Sequence, residues 1–321
     1  MTEERTMIAE SCERLFDAHL DAEVFRGAEA GVFPHDLWTA ITENGLDRIL
    51  VPEAQGGSGL GWEDAHVVLV AAGAHAAPVP LAEAIAAGWL LGAAGMPDGI
   101  VTLADPEVMR VPWARDAGHM LVLDPDNALH CVSLDGATIT PDRNIGRDPR
   151  DRVALDGVVP EDTGVDEVQA AGALVRSCQM AGAVSAVLDL CVSYTNERVQ
   201  FGRPIGRFQA IQQQLAVMAS EAAAADVAAR AACRMVDAGG SIIAAAAPAK
   251  IRTGEAAGKA ANIAHQVHGA IGFTDEYRLH HLTRRLWAWR SEFGAESAWA
   301  GLLGRLVAAR GADNLWPDLT G

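Results

Sequence analysis

The sequence predicts a mainly α-helical chain interrupted by a small β domain, and three observations carry that reading. Long alanine-rich stretches with helical periodicity fill both ends of the chain. Between Pro97 and Glu161 the texture changes to short apolar or alternating runs separated by turn formers. A break at Gly202 and Pro204 then splits the second helical region, because glycine is conformationally loose and proline lacks an amide donor. The expected organisation is a helical domain over 1–98, a middle antiparallel β domain over 99–160 and a C-terminal four-helix bundle over 161–321.

Residues 2–29 read as one or two helices, with Ile8, Leu15, Phe16 and Leu20 at near-helical spacing. Pro34 opens a short helix through Leu37, Ile41 and Leu46. A glycine-rich turn follows over 49–61, then helices over 62–76 and 81–95, parted by Pro78–Val79–Pro80. Residues 100–103, 120–123, 129–133, 137–140 and 152–155 read as strands. Turns at 124–127, 135–136 and 141–142 separate them, which predicts antiparallel pairing. Four long helices are expected after that, over about 165–200, 208–238, 241–269 and 276–310. Their alanine-rich faces suit close packing and an oligomer interface.

At 321 residues, half of them hydrophobic, the chain can bury a sizeable core and hold two or three domains. A net charge of −17 argues against a nucleic-acid partner. Its basic residues are nearly all arginine, with lysine only at Lys250 and Lys259. The five cysteines never fall in C-x-x-C spacing, which points to a reducing compartment without a disulfide framework. The N-terminus is charged and amphipathic, unlike a signal peptide, and the apolar run over 241–248 is too short to span a bilayer. A cytoplasmic protein with no membrane partner is therefore expected.

Residues 196–213, NERVQFGRPIGRFQAIQQ, are the most distinctive stretch. Arg198 and Phe201 are three apart and share a face if the preceding helix reaches them. A guanidinium beside an aromatic ring suits a planar, anionic ligand, although a helix–turn–helix corner with a solvated arginine has the same appearance. Gly269 and Gly272, near the end of a long helix, would let backbone amides approach a pyrophosphate, or serve as a plain C-cap. The glycines at 56–61 do not follow a strand in a βαβ unit, so they are not a dinucleotide fingerprint. No P-loop or G-x-S-x-G elbow occurs. His265, His268, His280 and His281 lack accompanying carboxylate or cysteine spacing, so no metal site is expected.

R-x-x-F-G at 198–202, followed by P-I and F-Q-A-I-Q, resembles the flavin-contact signature of the acyl-CoA dehydrogenase family. Residues 51–65, VPEAQGGSGLGWEDA, resemble its VPEEYGG-x-G turn, and residues 266–277, QVHGAIGFTDEY, its Q-x-x-G-G-x-G-x-x-x-E-Y stretch. Three motifs in the family's order are far more specific than any one of them. The resemblance implies an FAD cofactor. Arg198 would grip its pyrophosphate, Gln200 and Phe201 would contact it, and Gln209 is a further candidate. Gln266 and Gly269 would meet the adenosine diphosphate half of an FAD held mainly by a neighbouring subunit; Ala270 stands where the family has a second glycine. It also implies removal of an α-proton from an acyl-CoA thioester by a carboxylate while a β-hydride passes to the flavin.

Glu292 falls beside the place of the family's C-terminal glutamate and is the expected base, with Phe293 and Gly294 where glycine and threonine normally follow. The alternative, earlier place of the glutamate falls at 171–173, where no carboxylate stands. The β domain lacks the family's T-E-P-x-A-G-S-D and W-I-T-N/S segments. A short chain of this kind resembles the short subunits of hetero-oligomeric acyl-CoA dehydrogenases acting on steroid side-chain CoA thioesters, in which unlike subunits share each FAD. The implied partners are an acyl-CoA, a longer subunit or a second copy, and an electron acceptor such as an electron-transfer flavoprotein. Two alternatives stand beside this: a self-sufficient homo-oligomer with Glu292 as base, and a non-catalytic scaffold of the same fold. Trp287, Trp289 and Trp299 fall at spacings that could face a wide ligand, although such tryptophans are more often bundle core or interface.

Overall fold

The computed structural model describes residues 2–105, 110–123, 129–154 and 167–316. Helix α1 (Glu3–His19) starts where the Thr2 hydroxyl accepts from the Arg5 amide, and α2 (Ala22–Glu29) where Asp21 accepts from Glu23 and Val24. Helices α3 (His35–Glu43), α4 (Trp62–Ala74) and α5 (Leu81–Leu91) complete the first region. Gly61 gives α4 no side-chain cap. Its first amides instead donate to a distant carboxylate: Trp62 N to Asp237 Oδ1 at 2.8 Å and Glu63 N to Asp237 Oδ2 at 2.9 Å.

The middle region holds β1 (Val101–Leu103), β2 (Arg110–Pro112), β3 (His119–Leu123), β4 (Leu129–Ser133), β5 (Thr138–Thr140) and β6 (Arg150–Ala154). One sheet runs β1-β3-β4 and the other β2-β6-β5. The expectation of purely antiparallel pairing is corrected here: β1 lies parallel to β3, with Val101 opposite His119. The unexpected β2 explains it, since the chain passes through the second sheet before returning to the first and so comes back in the same direction. The expected turn at 124–127, residue 155 and the boundary between the middle and last regions lie outside the described residues.

Helix α6 (Glu167–Glu197) forms the centre of the molecule. It is buried continuously from Val168 to Val184 and packs against α4, α5, α7 (Gln209–Asp237), α8 (Ile242–His268) and α9 (Leu279–Ser291). Its length and apolarity would suffice to cross a membrane, but its most apolar window is 83% buried inside the protein. At the α4–α6 crossing the two backbones touch through glycines. A Cβ on Gly73 would sit 2.1 Å from the Gln179 carbonyl oxygen, and one on Gly182 would sit 2.0 Å from that of Val70.

The fourth expected bundle helix is two helices, α9 and α10 (Glu296–Arg310). Phe293 and Gly294 both take positive φ, 55° and 88°, which an α-helix cannot continue. Lys250, on α8, secures the break. Its Nζ lies 2.8–3.0 Å from the carbonyl oxygens of Trp289, Arg290, Glu292 and Gly294, so its N–H groups are shared among the acceptors at the negative end of α9; burial lowers its pKa to about 7, against the pull of Glu296 and Glu292 towards the charged form.

Candidate functional site

The R-x-x-F-G stretch folds as a hairpin at the end of α6, with β7 (Val199–Gln200) paired to β8 (Arg203–Pro204). Both residues of its turn, Phe201 and Gly202, have positive φ, 50° and 78°, the pattern of the tightest two-residue hairpins. Glycine takes this freely, whereas a phenylalanine held there is strained. The Phe201 ring is 92% exposed. Arg198, Gln200 and Gln209 are exposed around it, and the Arg203 guanidinium lies 4.2 Å from the centre of the Phe208 ring.

The other cofactor candidates reach the same end of the bundle. Tyr194, one turn before Arg198, stacks on His268 at 4.4 Å, and His268 Nε2 lies 3.2 Å from the Tyr277 hydroxyl. His268 directly precedes Gly269, which caps α8 at φ 62°. A Cβ there would meet nothing within 4 Å, so the backbone is open to an approaching group. Gln266 is exposed beside it. Arg198, Phe201, Gln266 and Gly269 therefore lie on two adjoining, exposed corners, an arrangement that fits an extended anionic cofactor with a flat ring.

Glu292 lies elsewhere, at the end of α9, facing a cavity of about 500 Å³ lined also by Arg110, Asn144, Arg150, Trp287 and Phe293. Its carboxylate is saturated. Oε1 accepts from Asn144 Nδ2 (2.8 Å) and Arg150 Nε (3.0 Å); Oε2 accepts from Arg176 Nε (2.8 Å) and Arg150 Nη2 (3.2 Å). Burial alone would raise its pKa, but the Arg150 and Arg176 guanidinium groups overcome that and hold it well below the ordinary carboxylate range. Arg176 is itself buried and also reaches Glu83 and Gln179. The next residue turns the other way. Phe293 is buried, its amide donates to Asp105 Oδ2 at 2.9 Å, and its ring covers Gly172 so closely that a Cβ there would lie 2.3 Å from Phe293 Cδ1.

The family profiles described as "Acyl-CoA dehydrogenase, N-terminal domain" and "Acyl-CoA dehydrogenase, C-terminal domain" match residues 2–97 and 169–302. Acyl-CoA dehydrogenase IpdE2 of Mycolicibacterium smegmatis is 32% identical over 292 residues, covering 87% of this chain and 91% of that protein. The chain belongs to the acyl-CoA dehydrogenase family. Among solved structures, a variant of the Tcur3481-Tcur3483 steroid ACAD superposes with a TM-score of 0.87 at 26% identity, over 97% of this chain and 99% of that one. The ChsE4-ChsE5 complex from Mycobacterium tuberculosis gives 0.85 at 23% identity, over 96% and 98%.

Members of the acyl-CoA dehydrogenase family are oxidoreductases that act on the CH–CH bond of an acyl-CoA. The two sequence places at which the family resemblance puts a base, 171–173 and beside Glu292, meet in space where the Phe293 ring covers Gly172. Sequence reasoning did not find the anchors of Glu292, namely Asn144, Arg150 and Arg176, nor the Lys250 clamp. One signal was available: Arg176 interrupts an otherwise apolar run of α6, and a buried arginine needs an anion. The structure brings a carboxylate, Glu29, to His280 and His281, which the sequence spacing did not show. His265 stacks between Phe273 (4.3 Å) and Trp287 (5.5 Å), and Glu29, beside His281, is claimed by Arg147 and Arg284. Trp289 and Trp299 are buried in the bundle, and Trp287 lines the cavity.

Proposed function

We propose that this chain is the short subunit of a hetero-oligomeric, FAD-dependent acyl-CoA dehydrogenase acting on a bulky, steroid-type CoA thioester, and that its longer partner carries the catalytic base. The packing of Phe293 on Gly172 carries the reading, because a phenyl ring fills the space to which both family base positions lead. Glu292 is a poor substitute: proton abstraction would require its oxygens to leave two arginines and an asparagine. The name of the similar steroid ACAD, which pairs Tcur3481 with Tcur3483, supports the assignment to a mixed assembly, and the likeness to IpdE2 supports the acyl-CoA dehydrogenase activity.

In this assembly Arg198 would hold the pyrophosphate by a charge-assisted pair, and Phe201 would offer its exposed face to a flat ring. Gln266 and the open backbone at Gly269 would meet the remainder of the cofactor. The bound flavin supplies the hydride-accepting chemistry. The residues of this chain bind and orient it, and the Glu292 cluster keeps the α9 corner in place.

The test is a visible absorption spectrum of the chain expressed alone and together with a longer family member encoded beside it. Flavin absorption that appears only on co-expression, and falls in Arg198→Ala, is expected. Unchanged flavin occupancy in Arg198→Ala would remove the cofactor assignment. The cavity beside Glu292 favours a second reading, a self-sufficient enzyme. It predicts that Glu292→Gln retains flavin but loses about 100-fold or more in turnover, the scale of a general base. The mixed-assembly reading predicts a smaller loss in folded, assembled enzyme.

A further inference from the structure

We propose that His66, Cys178 and Cys233 form a buried zinc(II) site joining α4, α6 and α7. Their donor atoms lie within 4.8 Å of one another and all three residues are buried. Cys178 Sγ is 3.7 Å from Cys233 Sγ, and His66 Nδ1 is 3.5 Å from Cys178 Sγ. Zinc bonds of about 2.3 Å to sulfur and about 2.0 Å to nitrogen, at tetrahedral angles, place two sulfurs about 3.7 Å apart and a sulfur and nitrogen about 3.5 Å apart. Two of the three donor spacings therefore match those around the ion, and the third lies within 4.8 Å.

The imidazole is also oriented for the task. His66 Nε2 lies 3.3 Å from Asp226 Oδ1, so a neutral ring that keeps its proton on that nitrogen would turn the Nδ1 lone pair towards the sulfurs. A carboxylate behind the far nitrogen is the usual support of a zinc-ligating histidine. On binding, the two thiols would release their protons, and two thiolates would neutralise the dication, which allows it to sit in an apolar core. The fourth position falls to a small ligand such as water, as where three protein side chains hold zinc. Asp226 is 38% exposed, so the site lies one imidazole ring below the surface. No local motif announces it, because the ligands come from three helices.

The protein, kept reduced, is titrated with zinc under competition from a colorimetric chelator, and cobalt(II) is used as the spectroscopic reporter. About one equivalent of tightly held zinc, release of protons on binding and a thiolate-to-cobalt absorption band are expected. The band is expected to vanish when Cys178→Ser and Cys233→Ser are combined. Asp226→Asn, a milder change outside the ligand set, is expected to weaken zinc binding by about 10- to 100-fold. No zinc uptake at micromolar free metal, a cobalt band that survives the double serine change, or wild-type affinity in Asp226→Asn overturns the proposal.

Discussion

Exchanging Glu292 for glutamine would leave Arg150 and Arg176 converging on an amide. Removing one member of a buried, hydrogen-bonded charge cluster costs about 3–5 kcal/mol, so Glu292→Gln should lower the urea midpoint strongly. Acid should attack the fold in a related way. At Glu29, burial favours the neutral acid, but His281, Arg147 and Arg284 outweigh it and lower the pKa from 4.5 to about 2. A lowered carboxyl stabilises the fold fully above its unfolded value, and that stability is lost as pH falls towards the folded one. Stability measured between pH 6 and pH 2 should therefore decline chiefly below about 4.5, and Glu29→Gln should flatten the slope. Little of this was legible in the sequence. Glu292 was recognisable from its neighbours in the chain, but Asn144, Arg150 and Arg176, which decide its chemistry, come from two other regions.

The α4–α6 crossing gives a second set of expectations. A methyl group on Gly182 has no space against the Val70 carbonyl, so Gly182→Ala should separate the helices and cost about 1–3 kcal/mol or more in a denaturant titration. Lys250→Met should fill similar volume but leave the carbonyls at and just past the end of α9 without their donor, costing about 2–3 kcal/mol. A selective rise in amide exchange over residues 289–296 would locate the damage. Helices with strong periodicity were readable because the signal repeats within each element. The break at Phe293 was not, because Lys250 stabilises it from another helix. Strand β2 was missed because three residues ending in proline leave almost no pattern.

The order of helical, β and helical regions could be read from sequence because each keeps its own texture over many residues, and two of the three motifs proved to adjoin at one exposed end of the bundle. The proposed partition of chemistry between this chain and a partner could not, since it rests on Gly172 and Phe293 meeting across the core. The same holds for the start of α4, whose first two amides, those of Trp62 and Glu63, donate to Asp237. During synthesis the N-terminal helices leave the ribosome well before that carboxylate exists. A nascent chain halted before α7 should accordingly leave the first turn of α4 frayed and open to a protease, with protection arriving only when residue 237 emerges. The first hundred residues are thus completed from behind, by the segment translated long after them.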